Sequence, residues 1–275
     1  NNGAGNTASL TLGQDIVLDE NGGNVSGIVV IDGTENNYAI DGQQHLGFAL
    51  PANTDNLTIQ NATLKNFGGV NSNTGIINNN AGGTVTLKNV IIQDNTFQAT
   101  HPGETYAASP AHINNAGEMS INGKFINNQS KSNNDARANG GIIANSGGHI
   151  SNISGEFTNN NIERTYSGGS YIHGGILWVG GSAATSLVDN IDAVFTDNRA
   201  YTSNNSSYGS VLYVNTGKVG SINGTFTNNI ALSGSADAAG GVIYNASNID
   251  NISGIFKDNK AQSDGKLTFN KVYGG

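Results

Sequence analysis

The chain has no cysteine, and its 275 residues include only 3 prolines and 1 methionine. Without cysteine there are no disulfides, so a fold exposed to an oxidising exterior must hold itself by packing and hydrogen bonds. Charged residues make up only 12%, the formal net charge is −8, and no stripe of lysine or arginine occurs. Nucleic-acid binding depends on neutralising phosphates, so that class is excluded. No apolar run approaches the ~20 residues that a membrane-spanning helix needs. No helical periodicity persists for three turns either. The 5 histidines have no metal-ligand spacing and the GGxGxDxUx calcium repeat is missing, so no metal and no cofactor are expected.

What the chain does have is asparagine, which outnumbers even the 39 glycines. Both residues tolerate the left-handed backbone region, so their abundance signals many tight turns. Short aliphatic runs such as GIVVI, GIIAN and GVIY recur between them. Those runs, with so few charges, argue against disorder. The class is all-β.

A repeat organises the sequence. FINN at Phe125, FTNN at Phe157, FTDN at Phe195, FTNN at Phe226 and FKDN at Phe256 follow one another at intervals of 32, 38, 31 and 30 residues. Each closes a longer phrase, as in ISNISGEFTNN, and each is paired with a second phrase such as GIIAN at Gly141 or GILWV at Gly175. Variable polar segments follow at 96–108, 129–139, 161–173, 199–208 and 230–239. A period of this length, with short strands and one variable loop, predicts a single-stranded right-handed parallel β-helix, a solenoid of the pectin-lyase-like kind with about eight or nine coils. One domain is expected over 1–275, with divergent N-terminal coils at 7–74, clear repeats at 75–260 and a partial coil at 261–275. LTIQNATLKN from Leu57 and VTLKNVIIQDN from Val85 read as early rungs with an aliphatic residue in place of phenylalanine.

Stacked coils place equivalent residues above one another. Phe125, Phe157, Phe195, Phe226 and Phe256 should form an aromatic core column, and Asn128, Asn160, Asn198, Asn229 and Asn259 an amide ladder. One residue before the ladder stand Asn127, Asn159, Asp197, Asn228 and Asp258, with Asn66 and Asp94 fitting earlier; Asn228 keeps the two later aspartates apart. His112 stands where other coils have Ile or Leu, which suits a hydrogen-bonded core histidine.

The pairing of GG-[IV]-[IL] with F-x-x-N resembles the repeat of chlamydial polymorphic outer-membrane proteins and related β-helical autotransporter passengers. It is carried by Gly140-Gly141-Ile142-Ile143, Gly174-Gly175-Ile176-Leu177 and Gly240-Gly241-Val242-Ile243 with the five F-x-x-N copies, over roughly 75–260. The third position is Ile or Val where that family usually has Ala, and Gly209-Ser210 and Ser109-Pro110 replace GG. The resemblance implies a β-helix displayed at a Gram-negative bacterial surface, with adhesion as its usual role and membrane attachment through a C-terminal barrel or anchor that this sequence does not contain. The opening NNGAGNTASL reads as a processed or excised fragment of an exported precursor.

Two groups of residues are binding candidates. Trp178, Tyr213 and Tyr244 share one slot in three consecutive coils; facing outward they would form a flat platform for sugar rings, facing inward they are core. The chain's arginines, Arg137, Arg164 and Arg199, all fall in the variable segments with Tyr166, Tyr171, Tyr201, Tyr208, Glu163, Asp135 and His173. Guanidinium groups beside tyrosines suit an acidic glycan or a protein partner, although solvated loop charges often do nothing. No catalytic residue is assigned, because Asp192, Asp197, Asp250 and Asp258 stand isolated and glycoside hydrolysis needs facing carboxylates. The expected function is an adhesin for a cell-surface glycan or protein receptor. A carbohydrate-active enzyme on the same fold is one alternative. Another is a stalk or filament subunit associating end to end through its unpaired strand edges.

Overall fold

A computed structural model describes residues 7–70, 75–100, 111–133, 138–165, 171–181, 186–263 and 272–273. They form a parallel β-solenoid of four sheets, with 12, 8, 7 and 5 strands. One coil runs from Thr84–Gln93 in the main sheet to Thr96–Ala99 in a short sheet, then to Ile113–Asn115 in a closing sheet and up to Glu118–Ile126, the next main-sheet strand. From Ala138–Asn139 onward a two-residue strand of a narrow fourth sheet precedes the closing strand. Neighbouring coils pair in parallel throughout, as Phe125 with Phe157 and Ile121 with Ile153 illustrate.

The main sheet has nine rungs on its principal path but the short sheet only 7, so about seven turns carry the three larger sheets, fewer than the eight or nine expected. The first rung is short, since Leu10 pairs with Ile31 only 21 residues on, and the short sheet begins only with Gly68–Val70.

Inward residues of the main sheet form unbroken columns. One runs Ile40, Leu64, Ile92, then Phe125 to Phe256, so the aliphatic residues of the early rungs do occupy the phenylalanine slot. The phenylalanine rings stack at 4.5, 4.9, 5.0 and 4.6 Å between centroids. Each buried side chain of this kind contributes about 1.5–3 kcal/mol.

Two corners turn the chain through positive φ. Asn66, Asp94, Asn127, Asn159, Asp197, Asn228 and Asp258 all lie between φ 54 and 57, where short polar side chains are the best tolerated after glycine. At the other corner Gly140, Gly174, Gly209 and Gly240 have φ 61 to 67, and a Cβ there would strike the carbonyl oxygen three residues on. The second glycine of the pair has no positive φ, although a Cβ at Gly175 would strike the Ser210 carbonyl oxygen; Ser210 stands at the equivalent position and donates to the Gly241 carbonyl.

The ladder asparagines Asn128, Asn160, Asn198 and Asn229 are buried and hydrogen-bonded along the stack. Each Nδ2 donates to the Oδ1 of the next coil: Asn128 to Asn160, Asn160 to Asn198, Asn198 to Asn229 and Asn229 to Asn259, all at 2.9 Å. The same Oδ1 atoms also accept the backbone N–H of the preceding ladder residue, as Asn160 does from Asn128 at 3.1 Å. The ladder starts one coil earlier than the phenylalanine copies indicate, at Asn95, which donates to Asn128 at 2.8 Å. A second ladder, Asn79 to Asn115 to Asn145 at 2.7 and 2.9 Å, ends where Val179 takes the slot.

His112 is a core histidine, as its position suggested. Nδ1 lies 2.9 Å from the Gly141 carbonyl and Nε2 3.2 Å from that of Asn95, while the ring meets Phe97 edge-on at 5.0 Å. Burial pushes its pKa down to about 4, so the neutral ring donates to only one of the two carbonyls.

Candidate binding surface

Aromatic residues of two sheets converge at the glycine corner. Trp178, Tyr213 and Tyr244 stand in register on the closing sheet, while His173 and Tyr208 stand in register on the narrow sheet. His173 stacks on Tyr213 at 4.5 Å, Tyr208 meets Tyr244 at 4.7 Å, and Tyr171 lies 5.8 Å from His173. Ala111, Ala144, Trp178 and Tyr213 form a small hydrophobic cluster separate from the main core. Burial pushes the Tyr208 phenol up.

This column lies outside the solenoid's core, but it is not a platform. Tyr213 and Tyr244 lie 5.1 Å apart at 3°, and Trp178 and Tyr213 are each only 8% exposed. Parallel register sets equivalent rings one above another, so the faces a sugar would stack on are spent on neighbouring rings. The buried indole N–H of Trp178 has no hydrogen-bond acceptor among the described residues.

The arginines do not share one edge. Arg137 and Tyr166 lie outside the described residues. Arg164 is 1% exposed, the last residue of Asn161–Arg164 and in the inward column Ser132, Arg164, Thr202, Ser233. It is a buried group of the interior and not a ligand-gripping loop residue. Tyr171 belongs to the aromatic corner.

Arg199 and Tyr201 do come together. They open Arg199–Thr202, whose alternation turns Ala200 and Thr202 inward and these two outward. The Arg199 guanidinium sits 4.3 Å above the Tyr201 ring, and its Nη1 donates to Asn161 Oδ1 at 3.1 Å. The Tyr201 position pairs with Glu163, which in turn pairs with Lys131.

Beside Arg199 runs a groove of about 770 Å³. One wall is the positive-φ column Asp94, Asn127, Asn159, Asp197 and Asn228; the other is the first outward column of the short sheet, from Thr96 through Asn161 and Arg199 to Ile230. Asn159 donates to Asn127 at 2.8 Å and Asn127 to Asp94 at 3.2 Å, so the wall is itself a hydrogen-bonded file. A smaller groove of about 310 Å³, lined by Lys131 and Glu163 among others, flanks the far side of the short sheet. The arrangement offers donors and acceptors repeating at the ~4.8 Å coil spacing, with one cation backed by an aromatic ring.

Two carboxylates flank one histidine, at positions that no sequence motif marks. His149 lies on the outer main sheet with Nδ1 2.7 Å from Glu118 and Nε2 2.8 Å from Asp189. The three residues come from three successive coils. The hydrogen bond that His149 donates to Asp189 is the main cause holding its pKa above the ordinary value; burial opposes it, and the hydrogen bond to Glu118 adds to it. Of the isolated aspartates, Asp250 pairs with Lys218 at 2.7 Å, while Asp197 and Asp258 are turn residues separated by Asn228. No protein-family model, no curated protein and no solved structure matches this chain.

Proposed function

We propose that the chain is the shaft of an exported, surface-displayed adhesin, of the autotransporter-passenger kind its repeats resemble, and that it binds a hydroxyl-rich glycan in the groove beside Arg199 and Tyr201. The observation that carries this reading is the run of polar side chains from five coils along one groove. Carboxamides donate and accept at once, which matches vicinal hydroxyls, and their fixed spacing favours an extended polymer over a compact ligand. Arg199 and Tyr201 give the groove a charged and aromatic contact of the sort that dominates binding energy elsewhere. The scaffold holds these groups without loop motion, so little conformational entropy is lost on binding.

A glycan array probed with the intact chain tests the idea, followed by calorimetry on the best ligand. Arg199→Ala and Tyr201→Ala should each weaken binding at least about tenfold with unchanged thermal stability. A silent array, or hits indifferent to both variants, would remove the reading. Binding confined to a protein receptor would replace the glycan with a different partner on the same surface.

A further inference from the structure

We infer that the glycan taken by the groove beside Arg199 carries free amino groups, and that one ammonium seats against Asn159 and Asp197. This rests on the glycan reading above and names the sugar class. The charged side chains lining the groove are Asp94, Asp197 and Arg199, two carboxylates against one guanidinium. The guanidinium is already engaged, donating to Asn161 and covering the Tyr201 ring. A polyanionic glycan would therefore meet net negative charge, so the acidic ligand that arginine beside tyrosine suggested is disfavoured.

The hydrogen bonds along the wall have a direction. Asn159 donates to Asn127 and Asn127 to Asp94, so each carboxamide gives its Nδ2 to the preceding coil and the file ends on a carboxylate. An earlier pair repeats this, Asn66 donating to Asp41 at 2.8 Å. Asp197 interrupts the file, because a carboxylate has no proton to give. Among the described residues nothing donates to the Asn159 Oδ1 or to either carboxylate oxygen of Asp197. The two residues belong to successive coils, joined where the Asn159 N–H donates to the Thr196 carbonyl at 3.0 Å. Neighbouring acceptors, one of them charged, are best met by a donor that is itself charged. A sugar hydroxyl has a single proton to donate, whereas an ammonium has several and a positive charge, so it serves both residues at once.

Calorimetry at low salt with three oligosaccharides of equal length and linkage tests it: glucosamine, N-acetylglucosamine and glucose. The glucosamine oligomer should bind the wild type at least about tenfold more tightly than the other two, the worth of one charge-assisted hydrogen bond. Asp197→Asn should keep the affinity for the neutral oligomers and lose the preference. The variant should fold, since asparagine already holds the same positive φ at Asn127, Asn159 and Asn228, and thermal melting checks this. Asp192→Asn, exposed on the outer main sheet, removes the same charge elsewhere and should leave the preference intact. Equal affinity for all three oligomers overturns the inference while leaving a glycan in the groove. So does a preference that survives Asp197→Asn, or one that falls equally with Asp192→Asn. Failure of all three to bind overturns it too, and a silent glycan array alongside would remove the glycan reading itself.

Discussion

Single residues hold this stack together through hydrogen bonds that have no substitute. Asn160 accepts from Asn128 twice, through its N–H and its Nδ2, and donates to the Phe125 carbonyl and to Asn198. Asn160→Ala leaves those buried groups unpaired, at about 1–3 kcal/mol for each group not rescued by water. Urea denaturation should show a loss of at least about 3 kcal/mol. Asn160→Asp can still accept but cannot donate, and it buries a charge. Its loss should be larger at neutral pH and should shrink on acidification.

His112 and His149 act in opposite pH directions. His112 has a folded pKa near 4 against 6.5 unfolded, so the unfolded chain takes up its proton first as pH falls. Stability from this group is intact above pH ~6.5 and declines toward pH ~4, by on the order of 3 kcal/mol. Denaturation of His112→Leu across that range should show a flatter profile than the wild type. His149 has a raised folded pKa, so its contribution is present below its unfolded value of 6.5 and is lost as pH rises through the folded one. His149→Gln should therefore matter at pH 5 and not at pH 9.

At the scale of the element, each coil is set by its corners. Asn228 holds φ 55 between a main-sheet strand and a strand of the short sheet. Asn228→Ala should cost about 1 kcal/mol, the left-handed penalty of an ordinary residue, while Asn228→Gly should be near neutral. Paired chemical denaturation curves decide it.

The corners and columns were readable because their residue types recur at a fixed place in the period. Phe125 to Phe256 and Asn128 to Asn259 announce themselves as soon as coils are stacked. The short sheet was not readable in the same way. Its inward residues include Ser130, Ser132, Arg164, Thr202 and Ser233, all polar, so no apolar alternation marks which side faces the core. Arg199, first after its ladder asparagine, points out; Arg164, fourth after its own, points in. The aromatic corner was half legible. Trp178, Tyr213 and Tyr244 share a slot, but His173 and Tyr208 reach them from two-residue strands too short to carry any period.

Across the whole molecule, stability is close to a sum over neighbouring coils, so position along the stack should matter as much as residue type. Asn259 makes the same bond to Asn229 as its counterparts make further in, yet it sits in the last complete rung and is only partly buried. Asn259→Ala should cost clearly less than Asn160→Ala, because water can reach the groups it abandons. Equal losses in matched denaturation experiments would mean that the coils unfold as one unit regardless of place.

The amide ladder carries one more property. From Asn95 to Asn259 every carboxamide points the same way, nitrogen toward the following coil and oxygen toward the preceding one. Their dipoles therefore add, as peptide dipoles do in a helix. The shaft has a positive and a negative pole as well as a first and a last coil, and two shafts aligned in the same sense along one axis attract where two opposed ones repel.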